Sequence, residues 1–226
     1  LAKAEGEDWI WHGADTIPGT HDRAILHLSR GGGDAAVLRE FDLTARRFVT
    51  GGFFLPEGKS GISWLDRDTL LLWTPLGDGH ATTSGYARTV RLWKRGQDPL
   101  ASPVIFVGKA ESMSVAAGVD RDTTGRVWLA EQIGFYDSVA WLGDAAGARD
   151  RIDLPTDTRF QWHRGWLAVK PRTPWTVGGQ TYAPDTLLGI AFADFLAGKR
   201  DFMRLFEPQE RRALDAWDMA DGMVRE

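Results

Sequence analysis

An internal repeat of about fifty residues constrains the fold of this chain more than any other feature of its sequence. A short apolar strand that ends at proline or glycine occurs in four copies, each followed by a polar stretch, a strand, a tight turn and another strand. The four copies of the apolar strand are Phe53–Pro56, Val104–Gly108, Arg151–Pro155 and Met203–Pro208. Such a period indicates one supersecondary unit stacked on copies of itself.

Each repeat is expected to contain four short strands, and the second copy shows them most clearly. They are predicted at Gly61–Leu65, Thr69–Thr74, Thr89–Lys94 and Val104–Val107. Several middle strands are apolar on both faces, namely Leu70–Trp73, Val139–Leu142 and Leu187–Phe192. A strand that is apolar on both faces belongs to a sheet covered by neighbours on both sides.

These features predict an all-β fold, an incomplete β-propeller of four-stranded blades. A two-sheet sandwich would also have short strands with frequent turns, but the recurring Trp-x-Asp turn unit favours the propeller. The expected blades are roughly 8–56, 61–108, 113–155 and 158–208, with a further blade beginning at 213–226. Little helix is expected, and the clearest candidate is Asp194–Lys199, where Asp194 can cap the first turn and Gly198 can end it.

Composition excludes several classes of function. The net charge is −4 and no basic run exceeds three residues, so no nucleic-acid partner is expected. The chain has no cysteine, which rules out disulfides and thiolate metal sites and is compatible with either cytoplasm or periplasm. No apolar run approaches the roughly 20 residues that cross a bilayer, so no membrane partner is expected. Because the chain begins at Leu1 without an initiator methionine, we expect an internal fragment of a longer protein.

One segment matches the ligand spacing of a calcium-binding loop. It has acidic residues at Asp120, Asp122 and Glu131 and a glycine at Gly125. Its flanks are predicted to be strands rather than the helices that such a loop needs. A hairpin turn in which Gly125 adopts a positive φ is therefore the preferred interpretation, and no metal site is predicted.

No residue of the chain is predicted to be catalytic. No serine lies in a Gly-x-Ser-x-Gly turn, and the five histidines lack the pairing of a zinc site. His27 and His163 are interpreted as structural, on a strand and in a turn respectively. Most of the 11 tryptophans are expected in the core, with Trp73 and Trp175 as the exceptions because each lies at a strand end beside a loop.

A series of segments, in order and spacing, resembles the propeller domain of the prolyl oligopeptidases, in a bacterial-looking branch. These segments are Leu28–Gly32, Val37–Leu43, Ser63–Leu71, Thr83–Val90, Arg91–Gly96, Trp175–Gly179 and Asp194–Gly198. The resemblance implies about four to five blades of a seven-bladed ring. It also implies a separate α/β-hydrolase domain that holds a Ser-Asp-His triad and cleaves short peptides after proline.

No triad position falls in this chain, so the resemblance implies that the catalytic domain is absent from it. The chain itself is then expected to be inactive, to bind no cofactor, and to gate and position short proline-containing peptides. Trp73, Tyr86 and Arg88 are the candidates for residues that face the substrate cavity.

Two other functions stay open, a stand-alone propeller that serves as an interaction scaffold and a Trp-rich carbohydrate-binding module. An incomplete ring would also leave blade edges open, and self-association is expected there, with Leu214, Met219 and Met223 exposed near the last blade.

Overall fold

The computed structural model describes residues 5–220 and 223–225, and strands make up nearly all of its regular structure. Four antiparallel sheets follow one another along the chain. The first contains β1 (Trp9–Thr16), β2 (Arg23–Arg30), β3 (Ala36–Asp42), β4 (Arg47–Phe48) and β5 (Phe54–Gly58). The second contains β6 (Gly61–Asp66), β7 (Thr69–Trp73), β8 (Thr89–Lys94) and β9 (Val104–Val107). The third contains β10 (Ser114–Val119), β11 (Val127–Gln132), β12 (Ser138–Gly143) and β13 (Arg149–Arg151).

The fourth sheet carries two insertions. Its strands are β14 (Thr158–His163), β15 (Trp166–Pro171), β18 (Leu187–Ala191) and β19 (Met203–Phe206). A separate hairpin of β16 (Trp175–Val177) and β17 (Gln180–Tyr182) interrupts it, and the short helix α1 (Phe192–Leu196) follows β18. A final pair, β20 (Asp218–Ala220) and β21 (Met223–Arg225), begins a further sheet.

The apolar cores lie between successive sheets. The strand β7 shows why, because Leu70 and Leu72 pack toward the first sheet while Leu71 packs toward the third. Leu142 of the third sheet and Leu167 of the fourth meet in the next core. The two-sided apolar strands therefore have neighbours on both faces, as their sequence predicted.

The sheets approach each other through their first strands. β6 lies against both β1 and β10, and β14 lies against β20. Each of these strands begins a sheet whose remaining strands follow in order. Four-stranded sheets stacked side by side with their first strands innermost form a β-propeller, which confirms the predicted all-β fold class.

Polar contacts tie neighbouring sheets together as well. Glu40 on β3 is buried and accepts hydrogen bonds from Arg95, which follows β8, at 2.5 and 3.1 Å. The indole of Trp64 on β6 donates to the carbonyl of Asp15 on β1 at 2.9 Å. His163 at the end of β14 pairs with Asp122 of the third sheet. The interface between the first and second sheets and that between the third and fourth are thus each fixed in register by at least one directional contact.

The helix differs from its prediction. It spans Phe192–Leu196, and Asp194 lies in its first turn without making a capping hydrogen bond. Phe192 and Phe195 are buried, so tertiary packing rather than a cap places the helix. Its last residue is Leu196 rather than the predicted Lys199, but Gly198 ends it as predicted, with φ of +86° and its N–H donating to the carbonyl of Phe195.

The expected exposure of the last blade is wrong for two residues. Met219 is 6% exposed and packs with Trp217 against the fourth sheet, and Leu214 is half-buried in the same core. The segment that starts the fifth sheet covers the apolar face which a cut blade would expose. The side chain of Met223 lies outside the described residues.

The calcium-like segment is a hairpin, as preferred from the sequence. Asp120 is buried and accepts hydrogen bonds from the backbone N–H and the hydroxyl of Thr124 at 2.9 and 2.6 Å. Gly125 has φ of +70°. Glu131 pairs with Val115 at the far end of the two strands, five residues or roughly 16 Å along the strand from Asp120. The acidic residues therefore cannot form one coordination shell.

Candidate functional site

One edge of the stacked sheets carries the long loops, and we call it the loop edge. In the second, third and fourth sheets, the connection between the second and third strands leaves from this edge, at 74–88, 133–137 and 172–186. Because successive blades of a propeller are stacked in the same orientation, these three segments lie on one face of the assembly. The predicted cavity residues Trp73, Tyr86 and Arg88 all belong to this edge.

Trp73 is the last residue of β7, and its indole is partly buried. The ring lies across Gly61 on the paired strand β6, where any Cβ atom would collide with it. It also packs in the core between the second and third sheets. Trp73 is therefore mainly a packing residue, and only part of its ring remains available to a ligand.

Tyr86 is 39% exposed, and the ammonium group of Lys59 lies 4.7 Å from the centre of its ring. The turn that presents it is closed by a hydrogen bond from the N–H of Thr82 to its carbonyl at 2.8 Å, and Gly85 adopts φ of +79° there. Arg88 is half-buried and donates through Nε to the carbonyl of Gly108 at 2.9 Å. Tyr86 and Arg88 thus share one loop but hold different partners.

His80 anchors this loop to the sheet beneath it. Its Nε2 atom lies 2.7 Å from a guanidinium nitrogen of Arg91, which is buried on β8. A guanidinium can only donate, so the imidazole accepts and is neutral. Burial lowers the pKa of His80, and the positive charge of Arg91 lowers it further. Burial also lowers the pKa of Arg91, whose guanidinium donates to the carbonyl of Ser102 at 2.5 Å.

A second feature of the loop edge was missed by sequence reasoning. A groove of 290 Å³ lies between the third and fourth sheets, and we call it the arginine groove. It is lined by Gln132, Phe135, Tyr136, Ser138, Thr158, Arg159, Phe160 and Arg172. Phe135 and Tyr136 are 76% and 56% exposed, which is unusual for adjacent large aromatic residues. That adjacency was the one sequence signal that could have drawn attention to this site.

Trp175, the other tryptophan expected to be available, packs inward. Its ring centre lies 5.1 Å from that of Phe202 and 6.5 Å from that of Tyr182, and it borders the core between the third and fourth sheets. Within residues 5–220 and 223–225, no group of three or more histidine and acidic side chains is placed to hold a metal ion. No helix in this part of the chain is long and apolar enough to cross a membrane.

Comparison with curated proteins finds relatives named as peptidases. An uncharacterized peptidase of Sinorhizobium fredii is 33% identical over 95% of this chain, and one of Rickettsia prowazekii is 24% identical over 95% of it. The chain spans 31% and 32% of the length of these two relatives, about a third. A scan against protein-family models finds no match.

Comparison with solved structures identifies the fold. A post-proline cleaving enzyme from Rickettsia typhi matches all of this chain with a TM-score of 0.86 at 20% identity, over 38% of its own length. A structure from a study of two prolyl endopeptidases matches 96% of the chain with a TM-score of 0.70 at 11% identity, over 32% of its own length. The chain is a peptidase-related β-propeller. Its resemblance to the propeller of the prolyl oligopeptidases, predicted from the sequence, is confirmed.

Proposed function

We propose that this chain is the substrate-gating portion of a prolyl oligopeptidase-like serine peptidase that hydrolyses short peptides after proline. The observation that carries the proposal is the match of the whole chain to 38% of a post-proline cleaving enzyme, since a separate region of that enzyme remains for catalysis. The chain itself contributes no triad. Its role is to exclude large substrates and to orient small ones at a catalytic domain supplied elsewhere.

The loop edge supports this role chemically. Tyr86 offers an exposed aromatic ring, and Arg88 offers guanidinium N–H groups beside it in the same loop. An extended peptide presents apolar side chains and backbone carbonyls, which are the groups that rings and guanidinium donors bind. The bonds between 80 and 88 hold this loop in one conformation, so little ordering would be needed on binding.

The absence of catalysis is tested on the 226-residue chain with a chromogenic Gly-Pro substrate. We expect no turnover and no labelling by a fluorophosphonate that reacts with active serines. Turnover that the fluorophosphonate abolishes would show that the chain carries its own nucleophile, and the proposal would then be wrong.

The gating role is tested in the complete peptidase with proline-containing peptides of increasing length. We expect Tyr86→Ala and Arg88→Ala to raise KM for short peptides while kcat stays within about twofold, because the chemistry occurs elsewhere. Lys94→Ala is the matched control, since Lys94 is exposed on β8 at the opposite edge of the same sheet. An unchanged KM in both loop variants would remove these residues from the peptide path. Equal rates for short peptides and folded proteins would refute gating itself.

A further inference from the structure

The third and fourth sheets leave a cleft between their first strands. β10 lies against β6 on one side, but it makes no comparable contact with β14 on the other. Val115 and Ala117 of β10 pack toward the second sheet. The alternate residues therefore face the fourth sheet, and they include the small Ala116 and Gly118. A space of 340 Å³ remains there, which we call the aromatic cleft, and its lining includes Asp120, Asp122, Trp128, Phe160 and Trp162.

Aromatic rings form both walls of the aromatic cleft. On the third sheet, the indole of Trp128 lies across Gly118, where any Cβ atom would collide with it. On the fourth sheet, Phe160 and Trp162 lie on the same face of β14 and stack with their ring centres 5.9 Å apart. All three rings are half-buried. Within the described residues, no arginine or lysine lies over any of them.

The aromatic cleft also carries negative charge. Asp122 is exposed, and its Oδ2 atom pairs with the imidazole of His163. Its Oδ1 atom has only a long contact of 3.4 Å with the hydroxyl of Thr123. Asp120 is buried and accepts hydrogen bonds from Thr124. Two carboxylates face one imidazole, so the cleft keeps a net negative charge even when His163 is protonated.

The arginines of the same turn do not supply a cation to the aromatic cleft. Arg121 donates to the carbonyl of Trp64 in the second sheet. Arg126 donates to the carbonyl of Leu142 at 2.9 Å and pairs with Asp150 at 3.1 Å. Among the described residues, those that line the cleft include no arginine and no lysine.

Elsewhere in the chain, the same combination of a ring and a carboxylate holds a guanidinium. The guanidinium of Arg95 lies 4.5 Å from the centre of the Phe53 ring and donates to Glu40 and Asp68. Three further arginines are held between a ring and a carboxylate in this way, namely Arg30, Arg39 and Arg200. A planar guanidinium suits such a place, because its face stacks on a ring while its N–H edge donates to a carboxylate.

From this arrangement we propose that the aromatic cleft binds the arginine side chain of a short peptide. The guanidinium stacks on the ring of Trp128 and donates to Asp122, while Phe160 and Trp162 cover the aliphatic stem. β10 and β14 are the innermost strands of their sheets, so the cleft borders the space that a gated peptide would cross. The proposal deepens the proposed function and rests on it, because it adds a preference for arginine to the peptides that the chain admits.

Fluorescence anisotropy on the 226-residue chain tests the proposal with the peptide Ala-Arg-Ala-amide, labelled at its amino end with an uncharged dye. The comparison peptide carries citrulline, which has nearly the shape of arginine without its charge. We expect the arginine peptide to bind at least about tenfold more tightly, because both the ring and the carboxylate attract the charge. A lysine peptide should bind less tightly than the arginine peptide, since an ammonium group is a strongly hydrated point charge.

Variants of the chain locate the site. Asp122→Asn keeps the shape of the side chain and removes its charge, so the ratio of arginine to citrulline affinity should fall to within about threefold. Trp128→Leu should lower the ratio as well. Asp150→Asn is the matched control and should leave it unchanged, because Asp150 is 82% exposed on β13 of the same sheet. The thermal midpoint of Asp122→Asn should stay within about 2 °C, since a partly exposed ion pair contributes little to stability.

Several results would overturn the inference. Equal affinities for the arginine and citrulline peptides, no binding of either, a lysine peptide that binds as tightly as the arginine peptide, or an unchanged ratio in Asp122→Asn would each do so. These peptides lack proline, so they can also be measured on the complete peptidase. Binding to the 226-residue chain that is absent from the complete peptidase would show that another segment fills the cleft, and would also overturn it. The gating assays can be run with peptides that lack arginine, so they can succeed when this assay fails.

Discussion

Glu40 is the residue whose replacement tests the packing of the sheets most directly. Its side chain is fully buried and accepts hydrogen bonds from Arg95 at 2.5 and 3.1 Å and from the N–H of Phe53 at 2.9 Å. It therefore joins the first sheet to the second through a charge that has no access to water. Burial by itself would lower the pKa of Arg95, but the hydrogen bonds that it donates to Glu40 and Asp68 raise its pKa above the usual value.

Glu40→Gln keeps the shape of the side chain and removes its charge. Removing one partner of a buried pair costs about 3–5 kcal/mol, and the value here should be lower because Arg95 is 27% exposed and keeps Asp68 as a partner. We therefore expect a loss of about 2–3 kcal/mol. For a slope of about 2–3 kcal/mol/M this is a decrease of about 1 M in the urea midpoint, measured by the fluorescence of the 11 tryptophans.

Glu57→Gln is the matched control. Glu57 pairs with Arg30 at 2.6 Å, and Arg30 keeps Glu7 as a second partner, but here the side chains are 39% and 43% exposed. An exposed pair contributes about 0–1 kcal/mol and is screened by salt. A Glu40→Gln effect no larger than that of Glu57→Gln, or one that disappears in about 1 M NaCl, would refute the argument from burial.

Three further changes probe other parts of the chain. Gly118→Ala places a Cβ atom 2.5 Å from the Trp128 ring and should lower stability by about 1–3 kcal/mol; an unchanged thermal midpoint would contradict this. Because the folded-state pKa of His80 is lowered, the unfolded chain binds protons more readily, so stability should decrease as pH falls below about 6.5. His80→Gln, which can still accept from Arg91, should show a smaller decrease between pH 7.5 and 5.5 by urea midpoints, and an equal decrease would exclude His80 as the source. Calcium should leave the thermal midpoint unchanged, because Asp120 is already bonded within its hairpin, and calorimetric binding tighter than about 1 mM would contradict the hairpin interpretation.

The sequence alone determined that the chain forms short-stranded sheets whose middle strands are covered on both faces. In β7, alternate leucines face opposite neighbours, and this pattern is local because side chains on a strand alternate with a period of two. The sequence also predicts a tight turn where the backbone needs a positive φ that glycine adopts without strain. Gly125, expected from the sequence to adopt a positive φ in a hairpin turn, has φ of +70°.

The tertiary structure decided which side chains meet at the loop edge. Arg172 lies thirty-six positions after Tyr136, yet its guanidinium lies 3.7 Å from the centre of the Tyr136 ring, because β11 and β15 end at the same edge. No local pattern encodes that meeting, since it depends on how two whole sheets pack. Packing also turned Trp73 across Gly61 rather than outward, because the glycine leaves a space that only this ring fills.

The helix and the last blade also separate what the sequence predicts from what only the tertiary structure decides. Asp194 as a cap and Gly198 as an end indicated a helical turn, but the helix starts two residues earlier because Phe192 is buried against the fourth sheet. Likewise, the sequence marked Met219 as apolar, and only the folded chain shows that it covers the fourth sheet. Local alternation determines which face of a strand is apolar, whereas the partner of that face is selected by the packing of segments distant in the sequence.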